Sequence, residues 1–226
     1  MKQSKLAYFS YILDENTPTY GNRSKLTSEK KSNISNGDIA NDSTINTTVH
    51  IGTHIDMPYH FFEDGQTIED FDIDYFRFEN ILFVDMLPDE TIVKDDLISR
   101  LKKVDKKNSY DMLIVKTGIC HRRDQDEFWK NNYGFDPSIA EYLRIEFSNI
   151  RVIGFDSISV SSFANRMLGR ESHKAFLNPI KPILLLEDMD LTQLTKLSKI
   201  YRLDIAALRV AKCDGLPCTI LAEIKI

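Results

Sequence analysis

The sequence predicts an α/β protein. The apolar run Ile81–Leu87 is typical of a buried strand, and Thr91–Val104 has apolar residues near helical spacing. Tyr110–Val115 indicates a second strand, and strand, helix and strand in this order favour a sheet covered by helices. The 226 residues suffice for one sizeable core, and no repeat or long linker divides them. We therefore expect a single domain over residues 1–226.

Two segments before the central motif are predicted from composition. Leu6–Leu13 indicates a first strand. The following stretch, Tyr20–Asp42, is rich in Asn, Ser, Gly and Lys and predicts a surface loop. Such a loop either contributes to a pocket or is a plain connector, and the sequence leaves both alternatives open.

The second half of the chain continues the alternation of helices and strands. Asp136 suits a helix cap and is followed by proline at the first helical position. The predicted elements are a helix at Pro137–Phe147, strands at Ile150–Asp156 and Pro182–Glu187, a short helix at Leu191–Leu197, and closing strands at Tyr201–Val210 and Cys218–Ile226 joined through Asp214–Pro217.

Composition narrows the classes of partner. The chain is 42% hydrophobic and 28% charged, as in ordinary soluble domains. Its net charge of −5, with acids and bases mixed, argues against nucleic acid and anionic membranes as partners. No run approaches the length of a membrane span, and the first apolar segment is too short and too polar for a signal peptide. Three cysteines without CxxC spacing predict reduced, mostly buried thiols. We expect a cytoplasmic protein with a small-molecule substrate.

The segment His50–His60 carries the densest chemistry. It contains three of the five histidines together with one aspartate, and Gly52 and Pro58 disfavour a helix there. In an extended segment successive side chains alternate between faces, so the even-numbered residues share one face. Those residues are His50, His54, Asp56 and His60.

Geometry requires that segment to bend if it binds one ion. In a straight strand His50 and His54 would lie about 13 Å apart, whereas the ligands of one ion lie within about 2.2 Å of it. Gly52 is the residue that permits such a curl. Imidazoles with a carboxylate suit zinc, manganese or iron. The alternative is a polar loop whose histidines pair with neighbouring residues.

This segment resembles the HxGTHxDxPxH signature of the metal-dependent cyclase family, whose best-known activity is kynurenine formamidase (arylformamidase). Every fixed position is present, and the HExxH motif of zinc proteases is excluded because Ile51 follows His50. The resemblance implies a swivelling β/β/α-type fold, with a mixed β-sheet or barrel core flanked by helices. It also implies a homodimer or homotetramer with sites near the interface.

Two later residues complete the implied ligand set. Glu187 ends an apolar strand, where ligand sites collect in α/β sheets, and burying it is unfavourable unless it is paired or bound to a cation. His173 follows a predicted helix start at Arg170–Ser172 and, judged alone, would more often be a surface histidine or one with its hydrogen bonds satisfied than a ligand. The family has a metal-binding histidine and glutamate at these two places. The family usually continues with Asn-Leu after the glutamate, whereas here Asp188 and Met189 follow.

The residues and the resemblance together predict a metal-dependent amidohydrolase of the kynurenine formamidase type, which hydrolyses an N-formyl arylamine. The predicted ligands of zinc, or of manganese, are His50, His54, Asp56, His173 and Glu187. Their number allows one or two ions. A metal-activated water would attack an amide carbonyl, with His60 as the general acid/base. The alternatives are a family hydrolase that opens a cyclic amide or lactone, and a non-catalytic metal- or ligand-binding domain.

Four further residues have weaker assignments. Asp156 fits either the orientation of a metal ligand or the capping of a turn. His121 lies among charges and is predicted to be an ordinary loop histidine. Phe61 and Phe62 either line a pocket or pack in the core, and the core is favoured.

Overall fold

A computed structural model describes residues 4–226. A mixed sheet of nine strands dominates it, and four α-helices and several short 3₁₀ turns surround the sheet. The strands are β1 (Lys5–Tyr8), β2 (Thr27–Ser32), β3 (Asp42–Asn46), β4 (His54–Asp56), β5 (Arg77–Phe78), β6 (Ile81–Asp85), β7 (Ile92–Val93), β8 (Met112–Lys116), β9 (Gly134–Phe135), β10 (Val152–Phe155), β11 (Leu184–Glu187), β12 (Lys199–Ala207) and β13 (Gly215–Lys225). The helices are α1 (Asp95–Lys102), α2 (Glu127–Lys130), α3 (Ser138–Glu146) and α4 (Arg166–Phe176).

The large sheet has a parallel and an antiparallel part. Its order is β5-β12-β13-β4-β11-β10-β8-β6, and β1 pairs with β13. The parallel part consists of β11, β10, β8 and β6. Their sequences are nearly continuous apolar runs, as expected where both faces of a sheet are covered. The sheet curves round on itself, so that β12, which is next to one edge, contacts β6 at the other edge. The predicted α/β fold, with a mixed sheet/barrel core and flanking helices, is confirmed.

Strand β4 is short but central. It lies antiparallel between β11 and β13, so it joins the parallel part of the sheet to the antiparallel part. Its three residues are buried, and Ile55 contributes to the main hydrophobic core. The carboxyl end of β11 and the start of β13 therefore flank the histidine segment on both sides.

Three sequence predictions are wrong or incomplete in detail. The Tyr20–Asp42 loop contains β2 and the start of β3, which form a separate two-stranded arm. Helix α1 begins at Asp95 rather than Thr91, because residues 92–93 pair with β9. Residues 191–197 form turns instead of a helix, since the Asp190 carboxylate accepts hydrogen bonds from the backbone and the hydroxyl of Thr192.

The remaining predicted elements are present with shifted ends. The first strand stops at Tyr8, and the closing strands become β12 and β13, which pair antiparallel along most of their length. Cys120 and Cys218 are buried, Cys213 is half-buried, and all three are unpaired, as the sequence predicts. Within residues 4–226, no helix combines the length and apolar character needed to cross a bilayer.

Candidate metal centre

The histidine segment curls at Gly52. This residue has φ of +55°, a conformation that glycine adopts without strain. The curl brings the ring centroids of His50 and His54 to 5.3 Å. Only residues 54–56 form a strand, and His60 lies in a 3₁₀ turn that begins at Pro58. The four even-numbered side chains therefore converge through a curl and a turn, and not by alternation along one straight strand.

Strand pairing places Glu187 beside the motif. Glu187 is directly opposite His54 in the β4–β11 register, and residues opposite each other in an antiparallel pair point to the same face. His54 Nε2 lies 3.4 Å from Glu187 Oε2 and 3.5 Å from Asp56 Oδ1. The backbone N–H of Val160 donates to Glu187 Oε1 over 2.7 Å and fixes the carboxylate. The end of β11 thus supplies a buried carboxylate, as the sequence predicts.

His173 reaches the same point from helix α4. The sequence prediction of a helix start at 170–172 is wrong, because the helix begins at Arg166 and His173 lies in its final turns. His173 Nε2 is 3.5 Å from Asp56 Oδ2 and 3.9 Å from Glu187 Oε1. Residues that are more than a hundred positions apart therefore surround one small volume.

Two backbone carbonyls orient the buried imidazoles. The Nδ1 atoms of His54 and His173 lie 2.8 Å from the carbonyl oxygens of Gly52 and Gly169, respectively. A carbonyl oxygen only accepts hydrogen bonds, so each Nδ1 carries the proton and each Nε2 faces the carboxylates. Such second contacts typically orient metal-binding histidines.

The negative charges around the imidazoles of His54 and His173 favour the binding of a cation. Burial lowers the pKa of His54 and His173, but the nearby carboxylates Glu187 and Asp56 outweigh burial and raise it. The pKa of Asp56 falls well below its ordinary value, since the effect of the surrounding histidines exceeds that of its burial. Protons and a metal ion compete for the same Nε2 positions.

Asp214 is a site residue that sequence reasoning missed. Its Oδ2 lies 2.8 Å from His50 Nε2 and 3.0 Å from His60 Nδ1, while His50 Nδ1 is 2.9 Å from Asp56 Oδ1. Burial lowers the pKa of His50, but Asp56 and Asp214 raise it to about 10. Hydrogen bonds from His50 and His60 lower the pKa of Asp214. The only sequence signal was its place before Gly215 in the closing turn.

Gly215 leaves space for the His50 ring. A Cβ atom at this position would lie 2.5 Å from His50 Cε1, closer than any real contact. Gly215 is opposite Asp56 in the β4–β13 register, so the glycine and the carboxylate flank the same imidazole. This close approach is the structural role of glycine after Asp214.

The donors fit a bound metal ion. Among residues 4–226, the buried Asp56 Oδ2 has no hydrogen-bond partner, which is costly for a carboxylate unless a cation takes that place. Three groups of donors have ligand atoms within 4.8 Å of one another: His50 with His54 and Asp56, Asp56 with His60 and His173, and His50 with His60 and Asp214. Nitrogen and carboxylate oxygen donors without cysteine suit zinc or manganese.

A cavity of about 270 Å³ opens onto these donors. Phe61 lines it and stacks on His173 with ring centroids 4.6 Å apart, so the favoured assignment of Phe61 to the core is incomplete. Sequence reasoning missed Arg166 and Arg170, and it left open whether Tyr20 contributes. The other lining residues that are not metal-ligand candidates are Pro18, Thr19, Gly52, Ile158, Ser159 and Ser161.

A buried ion pair supports the end of β11. The Asp188 carboxylate is fully buried and accepts hydrogen bonds from Arg123 over 2.7 and 2.9 Å. The Arg123 guanidinium also lies 3.8 Å from the centroid of the Tyr11 ring. The Asp188 carbonyl accepts from Thr53 Oγ1 over 2.6 Å, which ties β11 to the histidine segment. Aspartate at 188, where the family usually has asparagine, is thus matched by an arginine.

The weaker candidates have structural roles. Asp156 accepts hydrogen bonds from the backbone of Thr117 and Gly118, which favours the turn-capping assignment. His121 is exposed in a 3₁₀ turn, as predicted for an ordinary loop histidine. Phe62 is half-buried and packs against the main core.

Comparison with known proteins identifies the family. Residues 9–162, more than half of the chain, match the family model for Cyclase, described as "Putative cyclase". The chain belongs to the Cyclase family. The matched residues contain the whole histidine segment, so the resemblance drawn from its signature is confirmed.

Curated relatives of this Cyclase family chain include proteins of two descriptions. Cyclase-like protein 3 of Oryza sativa is 27% identical over 80% of this chain and 65% of its own length. A kynurenine formamidase of Bacillus cereus is 27% identical over 96% of both chains. The chain therefore spans about 65% of the plant relative and nearly all of the bacterial one.

Solved structures share the fold. A "potential metal-dependent hydrolase with cyclase activity" superimposes with a TM-score of 0.76 at 21% identity, covering 99% of each chain. Isatin hydrolase A from Labrenzia aggregata, bound to benzyl benzoate, gives a TM-score of 0.78 at 17% identity over 97% of this chain and 93% of that one.

Proposed function

We propose that this protein is a metal-dependent amidohydrolase of the kynurenine formamidase type, which hydrolyses an N-formyl arylamine to formate and the free arylamine. The observation that carries the proposal is the buried cluster in which the Nε2 atoms of His54 and His173 face the oxygens of Asp56 and Glu187. The formamidase relative of nearly equal length supports the choice of substrate class.

The proposed metal ligands are the five residues predicted from the sequence. His54, Asp56, His173 and Glu187 are buried, and the Nε2 atoms of both histidines lie within 3.9 Å of both carboxylates, so these four residues form the inner part of the cluster. His50 lies at its edge, between Asp56 and Asp214, and would give up one of these contacts to bind an ion. A bound zinc or manganese ion would lower the pKa of water and polarise the amide carbonyl.

Elemental analysis tests this ligand set. The purified protein is expected to contain one or two zinc or manganese ions per chain. A Glu187→Gln variant removes one negative charge from the cluster. Because Glu187 is a proposed ligand, the variant is expected to bind the ion more weakly by at least the roughly 10- to 100-fold that follows loss of a residue supporting a ligand. Full metal content in this variant after dialysis against a weak chelator would contradict the assignment.

His60 is proposed to transfer the proton. Its Nδ1 is held by Asp214, so its Nε2 is left for the reacting groups. His60 would accept a proton from the attacking water as the new C–O bond forms. It would then donate that proton to the departing amine nitrogen as the C–N bond breaks.

A His60→Ala variant tests this role. We expect hydrolysis of N-formylkynurenine to fall by roughly 10²- to 10⁴-fold, the usual contribution of a general acid/base, while metal content is retained. His121→Ala is the matched control, because His121 is exposed and does not line the cavity. Unchanged hydrolysis by the His60→Ala variant would refute the assignment.

Opening of a cyclic amide or lactone is the second candidate activity. The structural match to isatin hydrolase favours it, because the two proteins share the fold over almost the whole chain. Both activities would use the same ligands, so parallel assays with N-formylkynurenine and isatin separate them. Metal binding without hydrolysis of either compound would favour the non-catalytic metal-binding domain.

We propose a cytoplasmic homo-oligomer, a dimer or a tetramer. Three unpaired thiols are consistent with a reducing compartment. Among residues 4–226, the β2–β3 arm pairs with no strand of the main sheet, and isolated two-stranded hairpins are only marginally stable. It exposes Ile34 and Ile45, which a second copy of the chain would cover. A monomeric mass in analytical ultracentrifugation would contradict the proposal.

A further inference from the structure

Two arginines lie on one face of helix α4 and line the candidate active site. Arg166 and Arg170 are four residues apart, and residues at this spacing are neighbours on a helix surface. His173, the proposed metal ligand, is three residues further on the same face. Since the helix rises about 1.5 Å per residue, the arginines begin roughly 4 to 11 Å along the axis from His173.

Neither arginine is neutralised by the protein. Within residues 4–226, no carboxylate oxygen lies within 4.0 Å of either guanidinium group. Among the described residues, the one side-chain hydrogen bond of Arg170 is to Met167 Sδ, at 3.5 Å. The Arg166 guanidinium lies 5.7 Å from the centroid of the Phe163 ring and also meets the hydroxyl of Tyr20, which is neutral. Arg123, in contrast, is fully engaged by Asp188. Arg166 and Arg170 therefore keep their donors available to a ligand.

The arginines and the acidic donors differ in their exposure to solvent. Arg166 and Arg170 are exposed, whereas Asp56 and Glu187 are at most 2% exposed. The cavity thus has an acidic floor suited to a metal ion and a basic rim. A guanidinium group recognises carboxylates with paired, charge-assisted hydrogen bonds.

The wall between floor and rim is aromatic and apolar. Phe61 stacks on His173, and Tyr20 lies 5.5 Å from Phe163 in an edge-to-face arrangement. Ile158 adds an aliphatic surface. A cavity of about 270 Å³ with such walls suits a single planar ring placed between the metal and the arginines.

We propose that Arg166 and Arg170 are specificity residues that bind a carboxylate of the substrate, several bonds from the amide that is cleaved. The substrate class is then a carboxylate-bearing aryl amide, and neutral amides are disfavoured. This inference rests on the proposed function for the position of the cleaved bond, but the recognition of the anion does not depend on catalysis.

Matched compounds test the proposal by hydrolysis. N-formylkynurenine and its α-carboxamide differ in one charged group and share the formyl arylamine. The wild-type protein is expected to prefer the carboxylate in kcat/KM by roughly 10- to 100-fold, as one charge-assisted contact predicts. Arg166→Gln and Arg170→Gln are expected to reduce that ratio towards one, mainly by lowering kcat/KM for the carboxylate.

Lys174→Gln is the matched control. It removes a cation from the same helix, at an exposed position that does not line the cavity, and it is expected to keep the wild-type ratio. An Arg170→Lys variant, which keeps the charge but loses the planar fork, is expected to give an intermediate ratio. A ratio near one in the wild-type protein would overturn the proposal.

A binding measurement tests the recognition of the carboxylate independently of the proposed reaction. Titration calorimetry with the same two compounds on the metal-free protein measures recognition without turnover. Tighter binding of the carboxylate by the wild type, lost in both Arg→Gln variants, supports the proposal even if neither compound is hydrolysed. Equal affinities for the two compounds, or no binding of either, would overturn it.

Discussion

The Arg123–Asp188 pair gives a quantitative prediction about stability. Asp188 is fully buried and Arg123 is its ionic partner, so an Arg123→Met variant leaves a buried carboxylate uncompensated. Breaking a buried pair in this way typically costs about 3–5 kcal/mol of unfolding free energy. For a chain of this size, that loss corresponds to a melting temperature lower by roughly 6–20 °C.

Urea denaturation of metal-free protein measures this effect. Arg122→Met is the control, because Arg122 is the exposed neighbour and its change is expected to stay within about 0.5 kcal/mol. Adding Asp188→Asn to Arg123→Met removes the unpaired charge and is expected to recover part of the loss. A cost below about 1 kcal/mol for Arg123→Met would refute the reasoning that the pair compensates a buried charge.

Three other outcomes are expected. An Asp214→Asn variant weakens the hydrogen bond that orients His60, so kcat is expected to fall by roughly 10- to 100-fold while the metal content is retained. Full activity in this variant would contradict the role of Asp214 in positioning His60. With a thiol reagent at neutral pH, the folded protein is expected to react first at the half-buried Cys213. The other two thiols, Cys120 and Cys218, are buried, and burial raises the pKa of both. Mass spectrometry measures the rate of modification at each cysteine, and equal rates at all three would refute this prediction. Zinc at about 100 times its Kd is expected to stabilise the chelated protein by about 2.7 kcal/mol, and an unchanged melting temperature in calorimetry would exclude a specific site.

Much of the candidate site was predictable because its signals are local. The spacing from His50 to His60 and the need for a curl at Gly52 are properties of one segment, and the structure shows that curl. Glu187 was predictable because an acid that ends an apolar strand needs a partner. These residues satisfy constraints that a short window of sequence already contains.

The missed parts depend on long-range assembly or on competing local bonds. Asp214 and Arg166 are ordinary charged residues until the fold places them around the cavity. The β2–β3 arm is exposed along nearly its whole length, so it lacks the alternating hydrophobic pattern by which strands are recognised. The segment 191–197 has leucines at helical spacing, but side-chain bonds such as that of Asp190 favour turns.

The position of β4 between two strands from the far end of the chain affects how the protein is made. His50 and Asp214 are 164 residues apart, so the histidine segment leaves the ribosome long before its neighbours exist. A nascent or truncated polypeptide that ends before Asp214 would carry the complete signature and still lack β13, one of the two strands that hold it. Motif searches alone would assign a metal site to such a fragment, although it lacks Asp214 and one of the two strands that flank β4.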